Sequence, residues 1–225
     1  MRQRACFAVI VLATALAAPA SASLLGTYYN LDVDHPDMQS PITGWRPGMV
    51  EGTLSGSAPT LTPYGSGYIH QFDWYDPSYE VFSRIDSDAD LQSGFSSSWF
   101  PVSGGLAGDP YHFAVHWTGQ FYVGDDMDYT YSMGSDDDSW LFIDDQLVLD
   151  LGGIHGITYD DYTVSLTEGY HSIDIFFAER HTVQSGFQLN FFTDPEPSPV
   201  PEPGTMLLLG TGLLSLVGLR RRMKR

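Results

Sequence analysis

Basic residues are scarce in this sequence, and their scarcity excludes one class of partner. The 225 residues include 10 Lys and Arg against 28 Asp and Glu, a formal net charge of −18. Because such a chain repels polyphosphates, we expect no nucleic-acid binding. Aromatic residues make up 14% of the chain, and 23 glycines and 14 prolines accompany them. An acidic disordered chain would lack aromatic rings, so the composition predicts a folded domain rich in strands and turns.

Cysteine is almost absent, and its position excludes disulfides from the mature chain. The only cysteine, Cys6, lies in an apolar run at residues 5–16 that follows two arginines. Small residues at 20–22 complete the pattern of a Sec signal peptide over residues 1–22, cleaved before Ser23. The mature chain would then have no thiol. Its stability must come from a hydrophobic core or from bound ions.

The C-terminal segment has a different construction. Residues 194–205 are rich in proline and predict an extended linker. Residues 206–219 are apolar or small, and five basic residues follow them by position 225. Fourteen helical residues span about 21 Å, less than the hydrocarbon core of about 30 Å, but flanking residues and local thinning can supply the rest. We therefore predict a single hydrophobic helix with a basic tail on the cytoplasmic side over residues 206–225.

The order of Val200-Pro201-Glu202-Pro203, apolar segment and arginines resembles a PEP-CTERM sorting signal. The resemblance implies an exported protein of a Gram-negative envelope, recognised by an exosortase near Pro201, Glu202 and Pro203. The helix would hold the chain in the inner membrane only transiently, before release to the cell envelope or extracellular matrix. Such proteins accompany exopolysaccharide production. The alternative is a permanent tail anchor with an incidental Pro-Glu-Pro.

Removing both ends makes the remaining chain more acidic. Residues 23–199 contain 27 acidic residues and three basic ones, Arg46, Arg84 and Arg180, a net charge of −24. Self-repulsion at this level destabilises a compact state. Bound divalent cations would relieve it, although many secreted proteins are acidic only for solubility.

Alternation of apolar and polar residues recurs from residue 110 to 192 and indicates strands. The alternating apolar sets are Tyr129, Tyr131, Met133; Tyr162, Val164, Leu166; Ile173, Ile175, Phe177; and Phe187, Leu189, Phe191. Asp144-Asp145 between two apolar runs is typical of a hairpin turn. Residues 24–109 are less regular. We predict an all-β fold, an antiparallel β-sandwich or barrel, over residues 23–193.

Several motifs between residues 111 and 192 resemble a fibro-slime domain of the protective-antigen-type lectin-like group. They are Tyr111-His112-Phe113, residues 135–144, residues 149–156, residues 176–181 and Ser185-Gly186-Phe187. Two earlier motifs, residues 25–30 and Trp117-Thr118-Gly119, match the wider group. The resemblance implies a jelly-roll-like β-sandwich with a glycan-binding or adhesive role. In lectins of the group, two adjacent aspartates joined by a cis peptide hold calcium, which then binds sugar hydroxyls; Asp136 and Asp137 match that pair.

The triplet Asp136, Asp137 and Asp138 is therefore our candidate Ca²⁺ site. Ca²⁺ takes six to eight oxygen ligands, and three consecutive carboxylates supply several without long-range assembly. In a regular strand neighbouring side chains point apart, so convergence needs a bent backbone. The alternative is a solvated acidic turn whose carboxylates cap nearby N–H groups.

Four further residues are candidate ligand contacts. They are His155, in a glycine-rich turn, and Glu179, Arg180 and His181, near a strand end. The alternative is a structural role, with Arg180 paired to Asp150 or Glu179. Zinc lacks a third ligand of suitable spacing and has no cysteine available.

No catalytic residues are predicted. The chain has neither a Gly-x-Ser-x-Gly elbow nor a phosphate loop, and among so many acids a suitably spaced carboxylate pair carries no information. The sequence favours a secreted, non-catalytic module that binds exopolysaccharide or another glycan through calcium. A purely structural matrix protein and a glycoside-hydrolase accessory domain are the alternatives.

Overall fold

The structure, a computed structural model, describes residues 23–102 and 110–191. The predicted signal peptide, the linker with Pro201, Glu202 and Pro203, and the hydrophobic helix with its basic tail lie outside the described residues. Within the described ranges, no helix has the length and apolar character needed to cross a membrane.

Nine strands carry the described part of the chain. They are β1 (Ser23–Asn30), β2 (Glu80–Ser87), β3 (Phe113–Val123), β4 (Met127–Asp136), β5 (Asp138–Ile143), β6 (Gln146–Leu151), β7 (Thr158–Leu166), β8 (Gly169–Glu179) and β9 (Gly186–Phe191). One short helix, α1 (Asp88–Ser93), and two 3₁₀ turns, Gly65–Gly67 and Pro77–Tyr79, complete the regular elements. The turn between β5 and β6 falls at Asp144 and Asp145, as predicted, and both residues have positive φ.

The strands form two antiparallel sheets. One has six strands in the order β2-β1-β3-β8-β5-β6, and the other has three in the order β7-β4-β9. Their facing side chains form a shared apolar core, so the predicted antiparallel sandwich is confirmed.

The core between the sheets follows the predicted alternation. Tyr129, Tyr131 and Met133 on β4 are buried and share one cluster with Trp117 and Phe177 of the larger sheet. Phe187 on β9 reaches across, with its ring centroid 4.7 Å from that of Trp117. Contacts of this kind fix how the two sheets face each other.

A second core lies on the outer face of the larger sheet. Phe176, Ala114 and Trp140 point away from the sandwich and are buried by the segment between residues 31 and 75. Trp74 of that segment stacks on Trp140 with 6.3 Å between ring centroids. We call residues 31–75 the cover; it contains no long strand, which is why alternation did not reveal it.

One end of the sandwich brings acidic residues together. β4 ends at Asp136 and β5 begins at Asp138, so the chain passes between the two sheets at Asp137. The Asp136–Asp137 peptide bond is cis. β8 ends at Glu179 beside the start of β5, because Ala178 pairs with Asp138.

Candidate metal and ligand site

Three carboxylates meet where β4, β5 and β8 approach each other. Asp136, Asp137 and Glu179 each place one oxygen within 4.8 Å of the others. The three residues are 8%, 2% and 0% exposed, in that order. Three acids in so small and dry a volume need protons or a cation to be stable there.

Backbone amides satisfy part of this cluster. Asp137 accepts hydrogen bonds from the amides of His155, at 2.8 Å, and Arg180, at 3.1 Å. Glu179 Oε1 accepts from the His181 amide at 2.9 Å, whereas its buried Oε2 has no hydrogen-bond partner among the described residues. An unsatisfied buried carboxylate oxygen is costly unless something else binds it.

No arginine neutralises the cluster. Arg84 bonds Asp86 at 2.7 Å, and Arg46 donates to the Thr43 carbonyl at 3.0 Å. The side chain of Arg180 is engaged by Asp138. These are the three basic residues of the stretch 23–199, so no Lys or Arg side chain of that stretch is left to pair with the three acids.

The electrostatic consequence is a set of raised carboxyl pKa values. Burial, followed by the neighbouring Asp137 charge, raises the pKa of Asp136 to about 6. Burial and the charge of Asp138 raise the pKa of Asp137. Burial and the charge of Asp137 raise the pKa of Glu179 strongly. Burial is the largest cause of each shift, and repulsion from a neighbouring carboxylate adds to it.

The cluster opens into a shallow pocket of about 220 Å³. Asp136 and Asp137 form part of its wall; the other lining residues are Thr43, Ile154, His155, Gly156, His181, Val183 and Gln184. A carboxylate-only donor set with one open side suits Ca²⁺, which binds oxygen in irregular geometries. The residues present therefore fit such an ion.

Asp138 does not join the cluster, contrary to the predicted triplet. Its two oxygens accept from Arg180 Nε at 2.7 Å and from Arg180 Nη2 at 3.2 Å. Both residues are buried, and the guanidinium lies 5.1 Å from the centre of the Trp74 ring. The Gly153 amide also donates to Asp138 Oδ1, so both oxygens of this carboxylate are engaged within the fold. Glu179 takes the third position instead.

Arg180 forms an internal ion pair with an acid, as the structural alternative predicted, but its partner is Asp138 and neither Asp150 nor Glu179. Asp150 accepts from the Gly48 amide at 2.6 Å, Trp140 Nε1 at 3.0 Å and the Gly152 amide at 3.0 Å. It therefore fastens the cover to the end of β6, and Arg180 bonds Asp138 instead.

His155 and His181 lie in the pocket wall, but their rings have backbone partners. His155 Nε2 lies 2.8 Å from the Leu151 carbonyl oxygen, and His181 Nε2 lies 3.0 Å from that of Ser40. Their main-chain amides hold Asp137 and Glu179, so both residues support the carboxylates. Sequence reasoning missed Thr43, Val183 and Gln184, which carry no motif and reach the pocket only through the folding of the cover and the β8–β9 loop.

Comparison with protein families gives two matches. A PA14 domain model matches residues 70–201, and a PEP-CTERM protein-sorting motif matches residues 199–222. The second motif indicates export, sorting to the envelope of a Gram-negative bacterium and processing by an exosortase.

The chain also resembles large proteins of Dictyostelium discoideum. It is 40% identical to "Protein psiE" over 84 residues, which are 35% of this chain and 16% of that protein. It is 27% identical to "Protein psiG" over 186 residues, covering 63% of this chain and 26% of that protein. The chain thus spans about a quarter or less of the length of these relatives.

Two similar solved structures are PA14 domains by name. The "PA14 sugar-binding domain from RTX adhesin" is 17% identical, with 76% of this chain and 91% of that chain covered at a TM-score of 0.46. The "PA14 domain of MpAFP Antifreeze protein" is 12% identical, with 83% and 90% covered at a TM-score of 0.45. Likeness at this level says nothing about the ligand of this chain.

Proposed function

Since the chain belongs to the PA14 domain family, we propose that it is a secreted surface or matrix module that binds glycans through Ca²⁺. The ion would be held by Asp136, Asp137 and Glu179. The observation that carries the proposal is the buried Glu179 Oε2, which has no hydrogen-bond partner among the described residues and lies in one cluster with the Asp136 and Asp137 carboxylates.

The argument for a cation is electrostatic. Three carboxylates with raised pKa values share one buried site, and no arginine side chain is left to neutralise them. Removing a carboxylate from water costs several kcal/mol in real proteins. A divalent cation offsets this cost for all three at once, and oxygen-only donors favour Ca²⁺ over softer metals.

The argument for a glycan rests on the open side of the site. Asp136 and Asp137 line the pocket, whereas Glu179 is fully buried and is not among its lining residues. Ca²⁺ takes six to eight oxygens, so positions remain for a ligand's hydroxyl groups. An exopolysaccharide of the producing cell is the partner we favour, because the sorting motif directs the protein to the cell envelope.

Titration calorimetry with CaCl₂ tests the metal site. We expect the purified protein to bind Ca²⁺ and the Asp136→Asn/Asp137→Asn variant to lose this binding. Asp160→Asn/Asp161→Asn is the matched control, because it removes two charges from adjacent residues of β7 and should leave binding intact. Absence of binding at millimolar Ca²⁺, or equal binding by both variants, would refute the site.

A glycan array with and without EDTA then tests the ligand. We expect sugar binding that disappears with the chelator and in Asp136→Asn/Asp137→Asn. Calcium binding without any sugar binding would contradict the lectin function.

Calcium binding without sugar binding would favour a structural role for the protein. The His155 and His181 rings form hydrogen bonds with the backbone carbonyls of Leu151 and Ser40. These bonds hold the pocket wall in place without a ligand. An ion at the three acids would fasten the end of β4 to the end of β8. The module would then serve as a stable spacer in the matrix. A hydrolase-accessory role stays a prediction.

A further inference from the structure

The outer face of the three-stranded sheet has an unusual composition. Residues that alternate outward on its strands carry hydroxyl, amide, carboxylate or phenol groups, or are glycine; they are Asp128, Thr130, Ser132, Gly134, Tyr159, Asp161, Thr163, Ser165, Gln188 and Asn190. Several bond each other across the strands, including Thr130 with Thr163 at 2.8 Å. This face is polar, and among the described residues it carries one aromatic ring.

That ring belongs to Tyr159, and it lies on the backbone of Gly134. The two residues are directly opposed on β4 and β7. A Cβ atom at Gly134 would lie 2.2, 2.4 and 2.9 Å from three ring atoms of Tyr159, which no real contact allows. The ring therefore occupies the space that any side chain at position 134 would need.

The ring is held in place but remains open to solvent. Its hydroxyl donates to Gln188 Oε1 at 3.4 Å across Gly134. Tyr159 is nevertheless 54% exposed. One side of the ring rests on the strand, and the other side is free to contact a ligand without a conformational change, which keeps the entropy cost of binding low.

The surroundings match the chemistry of a sugar. A pyranose ring has one face of C–H groups, which pack on an aromatic ring, and hydroxyls at its edge that hydrogen-bond to polar groups. Gln188 lies on one flank of Gly134, and Asp161 and Asn190 flank Ser132, the next outward residue of β4.

We propose that Tyr159 is an aromatic subsite for one sugar unit of a longer glycan chain. The proposal rests on the proposed glycan-binding function and extends it to oligosaccharides. Gly134 and Asp136 are alternate residues of β4, about 7 Å apart along the strand. A chain with one unit at the Asp136–Asp137 pocket can therefore place another on Tyr159.

The subsite can be tested with linear glucose, galactose and mannose oligosaccharides of one to six units. Binding to the purified protein is measured by calorimetry in Ca²⁺ and in EDTA. We expect Tyr159→Ala to weaken binding of the longer probes about tenfold and to leave single sugars unchanged. Tyr159→Phe should retain the affinity, because the ring remains.

Two variants make the result specific. Gly134→Ala should mimic Tyr159→Ala, since the new methyl group displaces the ring without touching the ligand. Tyr162→Ala is the matched control: Tyr162 is 50% exposed on the same strand but belongs to the opposite face, so its loss should not change binding.

The outcomes separate this subsite from the metal site. If Tyr159→Ala lowers only the melting temperature and every probe binds as before, the ring merely shields Gly134 and the subsite is refuted. A loss of affinity in Tyr159→Ala together with unchanged binding in Asp136→Asn/Asp137→Asn would support the subsite and refute the metal-dependent function. If no probe binds to the parent protein, the subsite is refuted, whereas the calcium titration still decides the metal site.

Discussion

Asp137 and Asp138 are neighbours in the chain and both are buried, yet their surroundings are opposite. Asp138 meets the guanidinium of Arg180 at two points, and that guanidinium lies against the ring of Trp74. Asp137 meets only backbone amides and two more acids, at the edge of an open pocket. The first carboxylate is completed by the fold, whereas the second needs something from outside. Burial of a charge alone therefore does not mark a functional site; burial without a counter-charge makes a site a candidate.

Removing the counter-charge on the closed side should give the largest effect. Asp138→Ala leaves the Arg180 guanidinium buried and unpaired, so we expect a loss of about 3–5 kcal/mol in the free energy of unfolding. Urea denaturation measures it, with the exposed Asp161→Ala as control. A loss below about 1 kcal/mol would contradict the claim that the Asp138–Arg180 pair is a buried ion pair that the fold depends on, in contrast to the cluster around Asp137.

Supplying the counter-charge on the open side should give the next largest effect. Ca²⁺ at about 100 times its dissociation constant should stabilise the protein by about 2.7 kcal/mol, because the ion binds the folded state. Thermal unfolding with Ca²⁺ and with EDTA measures the difference. Asp138→Asn, if folded, should keep this calcium response, and a lost response there would place Asp138 in the site after all.

Removing a charge from the open side should have a smaller effect, opposite in sign to that of Asp138→Ala. In EDTA, Asp137→Asn relieves the repulsion among three buried acids, so we expect no loss of stability, or a gain of about 1 kcal/mol. The same variant should lose the calcium response. Clear destabilisation in EDTA would show that the bonds from the His155 and Arg180 amides outweigh the repulsion.

A pH effect far from both sites offers the finest test. His171, at the opposite end of β8 from Glu179, lies between Asp144 Oδ2 and the Thr167 carbonyl. Burial lowers the pKa of its imidazole, but the bonds to Asp144 and Thr167 outweigh burial, so the pKa is raised above 6.5. A raised pKa means that the protonated ring stabilises the fold below about pH 6.5 and that this contribution disappears as the pH rises through the folded value.

The measurement compares the melting temperatures of the parent and His171→Gln from pH 5.5 to 8.5. We expect the difference between them to be largest at low pH and to shrink as the pH rises. Ionisation of Asp136, Asp137 and Glu179 also destabilises the fold as the pH rises. Because both proteins contain these three acids, this effect cancels in the difference between their melting temperatures. A constant difference would contradict the role of the imidazole charge.

The sequence predicted those features that depend only on residues close together in the chain. Alternation located Tyr129, Tyr131 and Met133 on an inward strand face, and the resemblance located Asp136 and Asp137. The sequence could not show that Glu179 joins the cluster and that Asp138 does not, because both roles depend on which strands pair. Only the register of β5 against β8 brings Arg180 to Asp138. The cover escaped prediction for a related reason, since its buried residues follow no period.

The stacked rings of Trp74 and Trp140 give the protein a spectroscopic signal that reports whether the cover is packed on the large sheet. Trp74 belongs to the cover and Trp140 to the large sheet, whereas Trp99 and Trp117 stack within the other core. Near-ultraviolet circular dichroism of tryptophan depends on such fixed packing. Replacing Trp74 by Phe should therefore remove the contribution of the Trp74–Trp140 stack, and the difference spectrum should report on whether the cover is attached. Separation of the two signals during heating would show that the cover and the sandwich unfold as distinct cooperative units.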